Sequence, residues 1–299
     1  VITNSGARII MTPGVVVGSM DAYNISGGNL VNNGTLNLNR HFTNSAFAGG
    51  DGKFTLGGNW TNIGGVFIPG ASTVEFNGLS NQLVTGASTD KFYNLSVINT
   101  GTAPANRIVI GNDYEVLGSL RMSTGNIDAG SHTLFLSNPA ANALNYTSVT
   151  GSRILGKFRR NLNETTGTYL FPLGTTAYYN PLNLKPNSLS GSGSILSQFL
   201  TSPVPGNSGL PLPDPPVEIA DTYPSGYWDL TASGISINNF NINLNATGFT
   251  NPVINTTRVL KRTASGPWIV DGAHLTADTV NNVVYRNSLT TGISASGTE

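Results

Sequence analysis

Two stretches of this chain carry the same pattern at a fixed offset. Gly34-Thr35-Leu36-Asn37-Leu38 leads to His41-Phe42-Thr43-Asn44, and Gly52-Lys53-Phe54-Thr55-Leu56 leads to Asn59-Trp60-Thr61-Asn62. Matched residues lie 18 apart, as Gly52 does from Gly34. A looser third copy runs from Arg107-Ile108-Val109-Ile110 to Asp113-Tyr114. A second pattern is interleaved with the first. Gly28-Asn29-Leu30 precedes Thr35–Leu38, Gly65-Val66-Phe67 precedes Thr73-Val74-Glu75-Phe76, and Gly125-Asn126-Ile127 precedes Thr133-Leu134-Phe135-Leu136. Alternation places Leu36 and Leu38, or Phe54 and Leu56, on one side of a strand and Asn37 or Thr55 on the other.

A unit of about 20 residues cannot bury that apolar side alone, but a stack of such units can. The constant offset suits the coils of a β-solenoid, with Asn and Thr stacking between coils and sharing side-chain hydrogen bonds along the axis. An ordinary β-sandwich of consecutive hairpins also spaces its strands at about 8–12 residues and stays open as the alternative. Near residue 150 the texture changes. Repeats fade and longer alternating runs appear, such as Arg153–Phe158, Asn238–Asn245 and Thr279–Arg286, which read as strands of an antiparallel sandwich. The expected organisation is all-β, with a β-solenoid over 1–150 and a β-sandwich over 151–299. Two domains also suit 299 residues. The six prolines between Pro203 and Pro216 predict a loop that no sheet could hold. No segment shows helical periodicity with caps.

Composition narrows the function. Only 10% of residues are charged, the formal net charge is zero, and Asn, Gly, Ser and Thr fill the difference. That balance argues against a nucleic-acid partner or a polybasic membrane anchor. The one basic cluster, Lys157, Arg159 and Arg160, reads as a solvated strand face. Cysteine is absent, which removes a disulfide scaffold, a thiolate metal site and a cysteine nucleophile together. No apolar run approaches the roughly 18 residues of a membrane span. The chain opens directly in strand-like sequence, Val1-Ile2-Thr3, without an initiator Met, so it reads as a segment of something longer.

No common catalytic arrangement is legible. The three histidines, His41, His132 and His274, stand in unrelated contexts, and there is no G-x-S-x-G elbow. Polysaccharide lyases and hydrolases built on β-helices are the enzymes to weigh, because they gather acids and bases on one face. The candidates here are Asp113 and Glu115, which share a strand face, with Arg107 and Arg121 nearby. Two isolated acids read as solvated, so no catalytic residue, metal site or cofactor is expected. Aspartate-rich calcium loops are missing too, and Asp51 and Asp90 read as lone turn acids. Trp60 matches Phe42 in the repeat and reads as core, as do Trp228 and Trp268. Tyr178 and Tyr179 are the remaining candidates for ligand binding: adjacent strand residues point to opposite faces, so one ring should be exposed for stacking on a sugar.

Several stretches resemble surface proteins of Bacteroidota exported by the type IX secretion route. They are Gly58-Asn59-Trp60-Thr61-Asn62, Lys91-Phe92-Tyr93-Asn94-Leu95, the run from Gly156–Arg160 through Thr168–Gly174 to Tyr179–Leu182, and Gly226-Tyr227-Trp228. Val259-Leu260-Lys261-Arg262 with Trp268 continues the resemblance. It implies a large, repetitive extracellular or cell-surface protein of the adhesin kind. The expected function is a structural or adhesive module of a surface protein or filament, without catalysis. Its partners would be surface glycans or other protein chains, with a homo-oligomer or fibre as one form. The alternative is a carbohydrate-binding module or a lyase-like β-helix acting on polysaccharide.

Overall fold

The structure, a computed structural model, describes residues 1–87 and 89–299. It is almost entirely β, and the one helical element among the described residues is a short 3-10 turn at Ala141–Ala143. The chain divides into two compact units, residues 1–138 with 143–157, and residues 139–142 with 158–299.

The first unit winds as a parallel β-solenoid with three strands to a coil; the fold has about eight turns. One coil runs Ala22–Ile25, Asn29–Asn32, Thr35–Leu38, and the next runs Phe42–Asn44, Phe47–Gly49, Lys53–Leu56. Each strand pairs with its counterpart one coil on: Ala22 with Phe42, Asn29 with Phe47, Thr35 with Lys53. The 18-residue offset is thus the coil itself, and it also sets Phe42–Asn44 against Trp60–Asn62. The looser third copy is out of phase. Arg107–Ile110 lies on the face of Phe42 and Trp60, not on that of Thr35–Leu38, and Asn126–Ile127 lies there too. The cause is coil length. Hydrogen-bonded partners one coil apart are separated by 18 residues at Asn44 and Asn62, but by 24 at Asn59 and Leu83 and 26 at Gly86 and Asn112, so a constant offset stops tracking the faces.

Two stacks run along the axis. The first is aromatic: Phe42, Trp60, Phe92 and Tyr114 follow one another with ring centroids 4.5, 5.6 and 5.5 Å apart, flanked by Phe54 and Phe67. The second is a buried amide ladder. Asn4 Nδ2 donates to Asn24 Oδ1 (2.9 Å), Asn24 to Asn44 (2.7 Å), Asn44 to Asn62 (2.6 Å), and Asn62 to the Asp90 carboxylate (2.8 Å). The Asn stacking expected from the repeats is therefore present, and it lies inside the fold. Asn24 and Asn44 also donate to the carbonyls of Phe47 and Val66 in the adjoining strands, which fixes where the chain turns from one face to the next. Asn44→Ala strands several of these buried groups at once, so it should lower unfolding stability by about 2–3 kcal/mol. A denaturant midpoint that moves at constant slope would record that loss, and an unmoved midpoint would show the ladder to be energetically idle.

Asp90 ends the ladder as an acid among amides. Burial pushes its carboxyl above the ordinary value despite hydrogen bonds from Asn62 and the Ala87 N–H. An acid raised on folding contributes stability that is full below its unfolded pKa, near 3.8, and is lost as pH rises through the folded value. Asp90→Asn should abolish this part of the pH dependence, which pH-jump or titrated denaturation curves of the two proteins would reveal. Parallel curves would contradict it.

In the second unit the sheet is antiparallel. Two 19-residue strands, Leu182–Leu200 and Tyr227–Asn245, pair along their lengths. Phe158–Leu162 and Tyr169–Phe171 flank the first, while Val283–Leu289 and then Ala273–Asp278 extend beyond the second. Register shifts between Pro186 and Ser194 bend the long pair. Backbones touch there, and a Cβ on Gly193 would stand 2.1 Å from the Ser233 carbonyl, so only glycine fits. The sandwich's other layer is irregular, made of short bridges such as Lys261 with Ile269 and of a small ribbon. That ribbon corrects one expectation: Leu212–Asp214, within the proline-rich segment, pairs with Val217–Ile219 just after it, because a two-stranded edge tolerates Pro213.

The basic cluster also differs from its expected solvated face. Arg160 is fully buried, donating to the carbonyls of Leu170 (2.9 Å), Ala141 (2.9 Å) and Ala140 (3.4 Å), with its guanidinium over the Tyr169 ring. Burial pulls its pKa down to about 10. Tyr169 and the 139–142 segment supply the cage that alternation alone did not reveal.

Candidate functional site

Asp113 and Glu115 do share an outward strand face, as alternation requires, but each is tied into its coil. Asp113 Oδ1 accepts from the Thr133 N–H (2.7 Å) and lies 3.7 Å from His132 Nδ1. Glu115 pairs with Lys91, its in-register neighbour, at 2.7 Å. Burial opposes the charge on Glu115, yet the hydrogen bond from Lys91 holds its carboxyl below the ordinary value. Glu115 is therefore not placed as a general acid, which needs a raised pKa. Arg107 is paired with Asp128 at 3.1 Å, and Lys53 with Glu75 at 2.7 Å. The sparse charges of the solenoid are thus largely joined coil to coil in opposite-sign pairs, which suits parallel stacking of like positions. No group of three or more His, Asp or Glu residues among those described is arranged to hold a metal ion.

The histidines remain separate. His41 Nδ1 accepts from the Asn59 N–H at 3.0 Å, a contact that joins consecutive coils. His274 belongs to the second unit, opposite Arg286 on the neighbouring strand. Tyr178 and Tyr179 also lie in that unit, where Tyr178 is exposed and Tyr179 half-buried. One of the two rings is thus the more exposed, but the cause is not strand alternation: Tyr178 follows a turn at Thr175, whose hydroxyl accepts from its N–H, and only Tyr179 makes a bridge, with Gly174. The Tyr178 ring lies against Gly248, where any side chain would collide with it, so one ring face is braced and the side chain remains 46% exposed.

The second unit holds the larger feature, a cavity of about 450 Å³ between its antiparallel sheet and its irregular layer. Trp228, Leu230, Phe240, Ile242 and Leu244 form one wall, and Tyr223, Phe249 and Val259 stand among the residues of the other. Its volume lies within the range of ligand pockets, about 300–1,000 Å³. Charged residues also line it, among them Lys261, whose ammonium lies 5.4 Å from the centre of the Phe240 ring. Arg262 pairs with Glu299, and Lys261 donates to the carbonyls of Thr291 (2.6 Å) and Gly292 (2.8 Å) and to Asp271 (3.2 Å). Beside them Arg286, with its side chain 1% exposed, binds Asp214 at 2.7 Å, and Arg258 lies 3.3 Å from the same carboxylate. The interior can receive apolar groups.

Sequence reasoning did not find this cavity. Its walls join residues from 205 to 299, and each wall residue by itself reads as ordinary core. The alternation of Phe240, Ile242 and Leu244 was visible, but not the gap that they face. The buried pairing of Lys261 with Asp271 was equally hidden, since nothing in either residue's neighbourhood names the other. Comparison of the chain with protein-family models, with curated proteins and with solved structures finds no match in any of the three.

Proposed function

We propose that the chain is a structural or adhesive module of an extracellular bacterial surface protein or filament, acting by presenting a rigid surface and not by catalysis. The observation that carries this reading is the continuous buried ladder from Asn4 to Asp90, packed beside an aromatic stack. Four side-chain amides in register on successive coils, closed by a carboxylate, stiffen the stack of coils that would present such a surface. The low charge and the resemblance to type IX secreted surface proteins favour the same reading. Its partners would be surface glycans or other protein chains.

The test combines adhesion with product analysis. Beads coated with the chain should be retained on glycan- or protein-coated surfaces, while polysaccharides incubated with it should keep their size. Release of shortened or unsaturated sugars would sink the reading, and so would a protein that is neither retained nor self-associating at high concentration. The braced, exposed ring of Tyr178 favours a second reading as a carbohydrate-binding module. On that reading Tyr178→Ala should reduce retention on a glycan array about two- to tenfold, a stacked ring being worth about 0.5–1.5 kcal/mol. Unchanged retention would remove it.

A further inference from the structure

We infer that the outward face of the second unit's antiparallel sheet is a binding site for an uncharged glycan chain, built from the amides of Asn183, Asn239, Asn241 and Asn243 beside the Tyr285 ring. Cross-strand partners in a sheet share a face. Leu170 stands opposite Asn183, Asn183 opposite Asn243, Asn243 opposite Tyr285, and Tyr285 opposite Leu275, so one row crosses five strands. In the next row Lys185 stands opposite Asn241, and Asn187 and Asn239 follow along the same two strands. The residues between them, Leu184, Phe240 and Ile242, are buried on the other face. Each of the named amides, and Tyr285 with them, is half-buried or exposed.

Asparagine is a poor strand former, because its side chain competes for backbone hydrogen bonds, and threonine serves a merely solvated strand face better. Yet Asn239, Asn241, Asn243 and Asn245 hold alternate positions of a single strand here. The amides are also fixed in place. Asn187 Nδ2 donates to Oδ1 of Asn239 (2.7 Å) and of Asn241 (2.9 Å), and the Ser288 N–H donates to the same Asn241 oxygen (2.9 Å). Those acceptors are thereby occupied, while Nδ2 of Asn239 and of Asn241 has no protein acceptor among the described residues. Asn183 and Asn243, side by side, keep both donor and acceptor. Donors held in advance of binding lower the cost of ordering them on a ligand.

The chemistry of the face selects its ligand. The edge of a sugar carries hydroxyls that donate and accept at once, and a primary amide offers one group of each kind. The C–H face of a sugar is apolar and stacks on a ring, which Tyr285 supplies next to Leu275, itself 43% exposed. Charge decides between glycans. Lys185 is the one charged residue among these positions, so the face matches a neutral chain and lacks the cations that a polyuronate calls for. A site of this kind rests on the reading that surface glycans are among the partners, and it does not use Tyr178.

The experiment titrates the whole 299-residue chain with gluco-, manno-, galacto- and xylohexaose and, as the acidic arm, with hexagalacturonate. Binding is read from the asparagine side-chain amide signals by nuclear magnetic resonance. At least one neutral hexasaccharide should shift the signals of Asn183, Asn239, Asn241 and Asn243 saturably, while those of buried Asn24, Asn44 and Asn62 stay unmoved. Hexagalacturonate should bind about tenfold more weakly. Asn183→Thr combined with Asn243→Thr should weaken the neutral ligand about tenfold with the fold kept, since threonine suits a strand better than asparagine. The assignment is overturned if no neutral hexasaccharide shifts these signals, if hexagalacturonate binds as tightly, or if the double variant binds as before. Shifts confined to the surroundings of Tyr178 overturn it too. Coated beads retained on protein surfaces without any such shift would overturn the site and leave the adhesive reading standing. The shifts in the unsubstituted chain decide the matter even if the variant misfolds.

Discussion

Trp60→Ala is expected to lower the stability of the solenoid unit by about 3–5 kcal/mol, the upper range for loss of a core side chain. Trp60 is 1% exposed, and its ring meets Phe42 at 4.5 Å, Phe67 at 4.8 Å, Phe92 at 5.6 Å and Phe54 at 5.7 Å between centroids. Alanine would open a void touching three coils, because the strands beside it are locked in register above and below. The neighbours cannot collapse inward without breaking that register, so the void should persist. Trp60→Phe should cost much less, since Phe42 occupies the matching position one coil earlier. Denaturation followed by far-ultraviolet circular dichroism would distinguish the two variants. Equal, small losses in both would mean that the aromatic stack is not a packed core.

The second large effect belongs to Asp271. Its carboxylate is buried and accepts from the Thr290 N–H (3.0 Å), the Thr291 N–H (3.0 Å), the Thr291 hydroxyl (2.6 Å) and Lys261 (3.2 Å). Asp271→Ala leaves Lys261 buried without its counter-charge, which should cost about 3–5 kcal/mol. A pH dependence accompanies this. Burial opposes the charge on Asp271, but the hydrogen bonds from Thr290 and Thr291 and the Lys261 ammonium hold its carboxyl well below the usual carboxylate range. For an acid lowered on folding, the contribution is full above the unfolded pKa, near 3.8, and is lost as the pH falls below it. The wild-type protein should therefore lose stability below about pH 4. Asp271→Asn should flatten that acid limb, which denaturant titrations across the acid range would measure. An acid limb of unchanged steepness would show that other carboxylates govern it. Asp90 slopes the opposite way, so the two substitutions should alter the pH profile in opposite senses.

Much of the solenoid was legible because neighbouring coils are so nearly equal in length. Leu36 and Phe54, or Phe42 and Trp60, announce their pairing through identical surroundings at a constant offset. The signal failed at Arg107 because longer coils add residues without altering the faces. Asn4, Asn24, Asn44 and Asn62 recur at steps of 20, 20 and 18, so the ladder was readable in principle. It was hidden by the abundance of other asparagines, and burial alone separates these four from Asn37 or Asn39. In the second unit the strands of Phe240 and Phe158 followed from alternation. Arg160, Lys261 and Asp271 did not, since their meaning depends on partners between 10 and 31 residues away that share no local pattern. The exposure of Tyr178 comes from the turn at Thr175 that precedes it, which the expected strand alternation did not include.

The amide ladder has a polarity. Every link donates in the same sense, from Nδ2 of one asparagine to Oδ1 of the next, so the amide dipoles align head to tail as peptide units do along a helix. The row presents its N–H side at Asn62. A residue that completes such a row must accept from the last amide, and a carboxylate oxygen does so with no amide N–H to pass on. Asp90 is therefore the chemical full stop of the row. The one acid among the ladder's amides marks the place where the stack of amides ends and the coils begin to lengthen.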